Sequence, residues 1–144
     1  MLRGISPLLS PDLIAILARM GHGDELVLAD AHFPGETFNG RVVRADGIRI
    51  ASLLDAILPL WMLDQYVADP VIMMAPVEGD SLDAELVESY RAFIEYHHPG
   101  TPPIAYLPRF DFYDRTRSAF AVVMSGETAK YGNIILKKGV LPVG

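Results

Sequence analysis

The order of apolar runs along the chain is the feature that most restricts its fold. The segment VIMMA, residues 71–75, is apolar throughout, which is typical of a strand buried on both faces of a sheet. Other short β-compatible runs alternate with helical patterns along the rest of the chain. This alternation predicts one α/β domain over residues 1–144, with a sheet that is at least partly parallel. The predicted strands span 25–30, 41–44, 71–75, 104–107, 119–124 and 133–137.

Helix signals occupy most of the segments between these strands. Ser10 and Pro11 form an N-cap and first-turn pair, which predicts a helix that stops at Gly21. A second helical pattern covers 50–63, where Pro59 is expected to kink or end the helix. The remaining predictions are a helix over 83–96, a short polar helical segment over 111–118, and a loop over 32–35.

Composition excludes several classes of protein. The chain has no cysteine, so disulfides, thiolate zinc sites and thiol nucleophiles are ruled out. A net charge of −6 disfavours nucleic acid and anionic membrane surfaces as partners. The longest apolar stretch is interrupted by Asp55 and Pro59, and it is too short to span a bilayer. We therefore expect a soluble, cytoplasmic protein. Its 51% hydrophobic content also suggests that some apolar surface is buried against partner subunits.

His22 stands between two glycines, just before the first predicted strand. Glycine neighbours remove side-chain bulk, which suits a histidine held open for a ligand or for proton transfer. A histidine near the end of a helix also interacts well with the helix dipole, and that role is purely structural. The local sequence favours the structural interpretation.

Asp30 and His32 follow the same strand. They stand two residues apart, so on an extended segment they face the same way, and with His22 they could form a metal set. The pattern is weak, because Asp30 can equally stabilise a turn. His97 and His98 close a helix and are interpreted as solvent-exposed partners of its dipole, with no further role.

Two segments near the end of the chain contain candidate binding residues, and the first has the aromatic and polar mixture that suits a sugar. Arg109 precedes an aromatic cluster in the sequence RFDFYDR, although a surface arginine over apolar side chains would look the same. Further on, TAKYGN, residues 128–133, places hydrogen-bonding side chains around a glycine just before a strand, which a simple turn would also explain.

Together these stretches carry a family resemblance that runs over essentially the whole chain. The sequence resembles the sugar mutarotases of the fucose mutarotase and ribose pyranase family. The motifs that carry the resemblance are GHGDELVLADAHFP (21–34), VEGD (77–80), RFDFYDR (109–115) and SGETAKYGNIILKKGV (125–140).

The resemblance implies a fold, an assembly and a set of site residues. The fold would be a three-layer α/β/α sandwich with a mostly parallel mixed sheet, assembled into homo-oligomeric rings, typically decamers, with sites near subunit contacts. The resemblance implies His22 as the catalytic acid, so it reverses the local preference for a structural histidine. It implies sugar contacts from Asp30, Arg109, Tyr131, Gly132 and Asn133.

Three segments resemble the fucose branch of the family: Gly23, His32 to Pro34, and Lys130 to Asn133. The expected activity is therefore that of an isomerase that interconverts the α and β anomers of L-fucose. The alternatives are a ribose pyranase acting on D-ribose, a non-catalytic sugar-binding or transport-accessory protein, and a metal-dependent sugar isomerase.

Mutarotation opens a cyclic hemiacetal and closes it on the other face of the carbonyl group. Only a C–O bond breaks and re-forms, so acid–base catalysis and positioning suffice, and we expect neither a metal nor a cofactor. His22 is expected to protonate the ring oxygen. Both Tyr131 and Asp30 are candidates for the group that takes the anomeric proton, and the sequence does not choose between them.

Overall fold

The computed structural model describes residues 1–143. Six strands and five α-helices follow one another along this part of the chain. In chain order they are α1 (Pro11–Arg19), β1 (Glu25–Ala29), α2 (Gly35–Phe38), β2 (Val42–Ala45), α3 (Ile50–Ile57), β3 (Val71–Met74), α4 (Ala84–His97), β4 (Ala105–Leu107), α5 (Arg109–Ser118), β5 (Ala121–Ser125) and β6 (Ile134–Lys137).

The strands form one mixed sheet in the order β2-β5-β1-β6-β3-β4. Strands β1, β2 and β5 are parallel to one another, and β3 is parallel to β4. Strand β6 lies between these two groups and runs antiparallel to both β1 and β3. The mostly parallel mixed sheet is therefore confirmed, and all six predicted strands are present with ends shifted by one or two residues.

Side-chain alternation along the strands produces a core on each face of the sheet. In β1, Leu26 and Leu28 belong to the cluster formed with α1, α3 and α4. Val27 and Ala29 point to the opposite face, where they join the cluster that contains Phe112 of α5. Helix α2 packs beside α5 on that second face. The predicted three-layer arrangement is confirmed. No helix in residues 1–143 is long and apolar enough to cross a membrane.

The helices differ from the sequence predictions in three places. Helix α3 ends at Ile57 and continues only as a 3₁₀ turn through Leu60, since Pro59 cannot donate a helical hydrogen bond. Helix α5 begins at Arg109, directly after Pro108, which makes it a helix of 10 residues and not a brief polar turn. Helix α2 was not predicted; it is a single turn of four residues next to a segment that looked like a plain loop.

Candidate active site

A cavity of about 260 Å³ opens at the edge of the sheet where the parallel strands end. The segments that follow β1, β3 and β4 meet there, together with the start of the antiparallel strand β6. Ligands in open α/β sheets bind in this position, outside the carboxyl ends of the strands. We call this cavity the carboxyl-edge pocket. It is lined by Asp30, His32, Phe33, Pro34, Met74, Val77, Arg109, Tyr113, Lys130, Tyr131 and Asn133.

Asp30, which follows β1, is held firmly in the wall of the pocket. Its side chain is buried, with 7% exposure, and its Oδ1 accepts the backbone N–H of His32 at 2.9 Å. Its own N–H donates to Oδ1 of Asn133 at 2.7 Å. Burial raises the pKa of the Asp30 carboxyl, and hydrogen bonds from the His32 backbone and the Asn133 side chain oppose that effect in part. The two residues that the sequence placed 103 positions apart are therefore directly bonded.

The turn that brings Tyr131 to the pocket is held in place by the buried side chain of Tyr90. Tyr131 has a φ of 58°, in the left-handed region that side chains other than glycine rarely adopt. At Gly132 a Cβ would meet the carbonyl oxygen of Ala129 at 3.0 Å and the hydroxyl of Tyr90 at 3.3 Å. That hydroxyl donates to the Gly132 carbonyl at 2.8 Å. Because burial raises the pKa of Tyr90, its hydroxyl stays protonated and remains a donor.

Glu127 is a second buried support for the same turn. Its Oε2 accepts the backbone N–H groups of Thr128 and Ala129, at 3.1 and 3.2 Å, and pairs with Nη1 of Arg49 at 3.2 Å. The Glu127 carbonyl accepts the N–H of Ala31, which joins the segments that follow β5 and β1. The sequence analysis missed both Tyr90 and Glu127 as supports, because a residue that acts through backbone groups far along the chain leaves no local pattern.

The opposite wall of the pocket is aromatic and cationic. Nε of Arg109 donates to the hydroxyl of Tyr113 at 2.9 Å, and its guanidinium lies over the rings of Phe110 and Tyr113, with the centroids at 5.5 and 5.4 Å. The ring of Phe33 packs edge-on against Tyr113. Of the predicted arginine and aromatic cluster, helix α5 thus presents Arg109 and Tyr113 to the pocket, while Phe112 is buried in the core. The other walls of the pocket supply a carboxylate and an amide. Such a set offers apolar faces and hydrogen-bonding groups together.

His22 lies at the other edge of the sheet. The neighbouring Gly23 N–H donates to the carbonyl of Lys138, at the end of β6, whereas Asn133 precedes the start of that strand. Strand β1 separates His22 from Asp30 in the same way. At about 3.3 Å per residue of extended chain, the distance is roughly 20 Å. A single chain therefore brings together Asp30, Arg109 and the turn around Tyr131, but it does not bring His22 to them.

His22 and Asp64 form a second cluster, which we call the amino-edge pair. Nε2 of His22 lies 3.1 Å from Oδ1 of Asp64. The Asp64 side chain is only 4% exposed, whereas that of His22 is 47% exposed. Burial acts to raise the pKa of Asp64, but hydrogen bonds from the Tyr66 N–H and from His22 outweigh it and hold that pKa below its usual value. The Tyr66 ring lies 5.4 Å from the imidazole. Asp64 thus orients an accessible histidine, and the sequence analysis did not single it out.

The other histidines have different surroundings. His32 lines the pocket, so the suggested metal set of His22, Asp30 and His32 is split between two edges of the sheet. Among residues 1–143 no group of three potential ligands could hold a metal ion. His97 and His98 are half-buried, which corrects the expectation that they are solvent-exposed; they bind Asp55 and the Leu58 carbonyl and so join α4 to α3.

This fold and pocket define a small α/β protein with a polar and aromatic site of monosaccharide size. The family model described as "RbsD / FucU transport protein family" matches residues 3–141. The chain belongs to this family.

Individual relatives cover the full length of the chain. The L-fucose mutarotase of Histophilus somni (strain 2336) is 58% identical over 143 residues, which are 99% of each protein. The crystal structure of the fucose mutarotase in complex with L-fucose from Streptococcus pneumoniae has a TM-score of 0.94 and 46% identity, covering 98% of this chain and 100% of that one. Bacillus subtilis RbsD complexed with D-ribose has a TM-score of 0.74 and 25% identity, covering 99% of this chain and 100% of that one.

Proposed function

We propose that this protein is an isomerase that interconverts the α and β anomers of L-fucose, with residues 1–144 acting as one sugar mutarotase domain. The observation that carries the proposal is the carboxyl-edge pocket, in a chain whose fold matches a fucose-bound mutarotase with a TM-score of 0.94. Similarity to the ribose-bound relative is much lower, at 25% identity, which favours L-fucose over D-ribose. The cytoplasmic location stays a prediction.

The pocket can hold a monosaccharide through its two contrasting walls. Arg109 and the buried amide of Asn133 offer donors for sugar hydroxyls. Gly132 lets its turn pack closely onto the Tyr90 hydroxyl, which holds the residues on either side in place. Phe33 and Tyr113 offer the apolar surface that the C–H face of a sugar requires. These contacts hold the sugar in the geometry in which ring opening can occur.

The ring-opening step needs one proton donated and one removed. His22 donates a proton to the ring oxygen as the bond between C1 and that oxygen breaks, while a base removes the proton of the anomeric hydroxyl, which becomes the carbonyl oxygen. Closure on the other carbonyl face reverses both transfers. Asp30 is a better base than Tyr131. Its raised pKa brings it nearer to neutral pH, whereas the Tyr131 hydroxyl already donates to Asp80 at 3.0 Å.

His22 must come from a neighbouring subunit in this mechanism, because its own pocket is about 20 Å away. A contact between the amino edge of one copy and the carboxyl edge of the next joins two different surfaces, and repeated contacts of this kind close into a ring. Exposed aromatic side chains support the same arrangement. Tyr66 beside His22 is 75% exposed, and Phe110 beside the pocket is 73% exposed. A homo-oligomeric ring, of decameric size by the family resemblance, would cover both.

Anomer exchange measured by saturation-transfer NMR tests the activity. We expect the protein to exchange L-fucose anomers faster than buffer alone, and faster than it exchanges D-ribose at equal concentration. Binding of L-fucose without acceleration would leave a sugar-binding or transport-accessory protein, and a clear preference for D-ribose would assign the ribose pyranase activity.

Mixing two inactive variants tests the shared site. His22→Gln and Asp30→Asn subunits are each expected to be inactive as homo-oligomers. When they assemble together at equal amounts, about a quarter of the sites would combine an intact His22 with an intact Asp30, so activity should return to that level. Mixed oligomers that remain inactive would show that both residues act within one chain or not at all. Assembly of two His22→Gln preparations is the matched control.

A further inference from the structure

Asp80 connects a separate turn to the site residue Tyr131. It lies in the segment that follows β3, in the motif VEGD. Its Oδ2 accepts the hydroxyl of Tyr131 at 3.0 Å and lies 3.7 Å from Nζ of Lys130. Its Oδ1 accepts the backbone N–H of Ser81 at 2.9 Å. Both carboxylate oxygens are thus engaged, and Oδ2 holds the phenol of Tyr131, a residue that lines the pocket.

The two ends of this hydrogen bond are each held in a restricted conformation. On one side, the Asp80 N–H donates to the Val77 carbonyl at 3.0 Å, and Gly79 between them has a φ of 84°, so the turn is closed on itself. On the other side, Tyr131 has its left-handed backbone. Unusual backbone conformations persist where the surrounding structure fixes them, and they cluster at binding sites. The bond joins two fixed elements across the edge of the pocket.

We propose, resting on the function proposed above, that Asp80 is a positioning residue that fixes the Tyr131 hydroxyl as a hydrogen-bond acceptor for the sugar. A phenol has one proton, and here that proton is directed to Asp80. The lone pairs of the oxygen are then the groups that Tyr131 presents to the sugar. Asp80 selects a sugar hydroxyl that donates at this point and keeps the ring of Tyr131 in the pocket wall.

Electrostatics agree with this role. Hydrogen bonds from the Ser81 N–H and from Tyr131 lower the pKa of Asp80, so its carboxylate remains ionised and accepting at neutral pH. Hydrogen bonds to ionised groups are stronger than those between neutral groups. The alternative is that Asp80 only stabilises its own turn through Ser81, in which case Tyr131 would bind the sugar equally well without it.

A double-mutant cycle separates these two roles. Asp80→Ala removes the acceptor, Tyr131→Phe removes the hydroxyl, and the double variant removes both. Glu78→Ala is the matched control, because it deletes another exposed carboxylate from the same turn, and Glu78 does not line the pocket. The dissociation constant for L-fucose by calorimetry and the exchange rate at saturation are measured for each.

We expect Asp80→Ala and Tyr131→Phe each to weaken L-fucose binding roughly 10-fold, and we expect the saturated rate of Asp80→Ala to stay within about 3-fold of wild type. The double variant should bind no more weakly than Tyr131→Phe alone, because Asp80 acts through the hydroxyl. Glu78→Ala should bind as wild type does. Normal binding by Asp80→Ala, or single effects that multiply in the double variant, would overturn the proposal. A wild-type protein that binds L-fucose without exchanging it would refute the mutarotase function and still allow the cycle to be read.

Discussion

In the proposed mechanism, the two edges of the sheet carry opposite halves of the reaction. The carboxyl edge has a pocket whose aspartate, amide and left-handed turn are held by hydrogen bonds within the chain, including one donated by the Tyr90 hydroxyl and one accepted by the Glu127 carboxylate. The amino edge has a half-exposed imidazole, His22, held by one buried carboxylate, Asp64. In the proposed mechanism the carboxyl edge binds the sugar and removes a proton, and the amino edge of another subunit supplies one.

This difference shows why burial and catalytic role need not coincide. Groups that must match a sugar in three dimensions are pre-organised by support from within their own chain. A side chain that acts in the site of another copy has to remain accessible, so its own chain can hold it by only some of its atoms. Asp64 holds His22 in this way, because it contacts Nε2 while about half of the side chain stays exposed.

The largest expected effect comes from replacing His22 at the amino edge, with His32 at the carboxyl edge as the comparison. His22→Gln should lower the anomer-exchange rate by about 10²- to 10⁴-fold, the usual contribution of a general acid, with little loss of stability. His32→Gln, the matched change inside the pocket, should cost less than about 10-fold, because in the described part of the chain no side chain orients the His32 ring. Saturation-transfer NMR and thermal unfolding are measured on both. A larger loss from His32→Gln would move the acid to the carboxyl edge and end the case for a shared site.

A smaller effect is expected from Asp64→Asn. The amide preserves size but removes the carboxylate that accepts the hydrogen bond from Nε2 of His22 and orients the imidazole, so the rate should fall about 10- to 100-fold. Asp55→Asn is the control, because Asp55 pairs with His97 at 2.8 Å in the same manner and neither residue lines the pocket. Equal rates for Asp64→Asn and wild type would mean that the amino-edge pair has no catalytic part.

The smallest effect concerns stability at the carboxyl edge. Burial raises the folded-state pKa of Asp30 above the value of 3.8 expected without the fold, so the ionised carboxylate costs stability. That cost appears as pH rises from the unfolded pKa through the folded one. The Asp30→Asn variant has no carboxylate to ionise, so it does not lose this stability. Its free energy of unfolding relative to wild type should therefore rise, by no more than about 1 kcal/mol, between the unfolded and folded pKa values of Asp30 and stay constant at higher pH. Melting curves at fixed protein concentration across this pH range measure it. A relative stability that falls as pH rises would show that the Asp30 carboxylate is stabilising.

Much of the fold follows from local pattern. Apolar runs such as VIMMA predict buried strands because each residue of β3 is enclosed on its own face of the sheet. Helix α1 was predictable from Ser10, whose side chain accepts the Leu13 N–H. Helix α2 was not, because a single turn that begins after Pro34 has too few residues to establish a helical period.

The candidate site was predictable only in part. Asp30, Arg109 and Asn133 each follow or precede a strand, and sequence position alone indicates the edge at which they lie. The separation of His22 from them follows from which end of β1 it precedes. The supports Asp64 and Tyr90 depend on contacts made across 42 residues of chain, and no local spacing encodes such contacts.

The length of strand β6 bears on the spacing of sites in a ring of these subunits. The strand is antiparallel to its neighbours, so Asn133, just before it, lines the pocket, and the carbonyl of Lys138, just after it, accepts the N–H of Gly23. This four-residue strand therefore spans the distance between the carboxyl edge and the amino edge of one subunit. In a ring of the proposed kind, each subunit would contribute His22 to the site of one neighbour and its pocket to a site shared with the other neighbour. The length of β6 would set the distance between these two sites. Lengthening the strand by two residues would preserve the inward and outward faces of its side chains and move its two ends apart by about 7 Å.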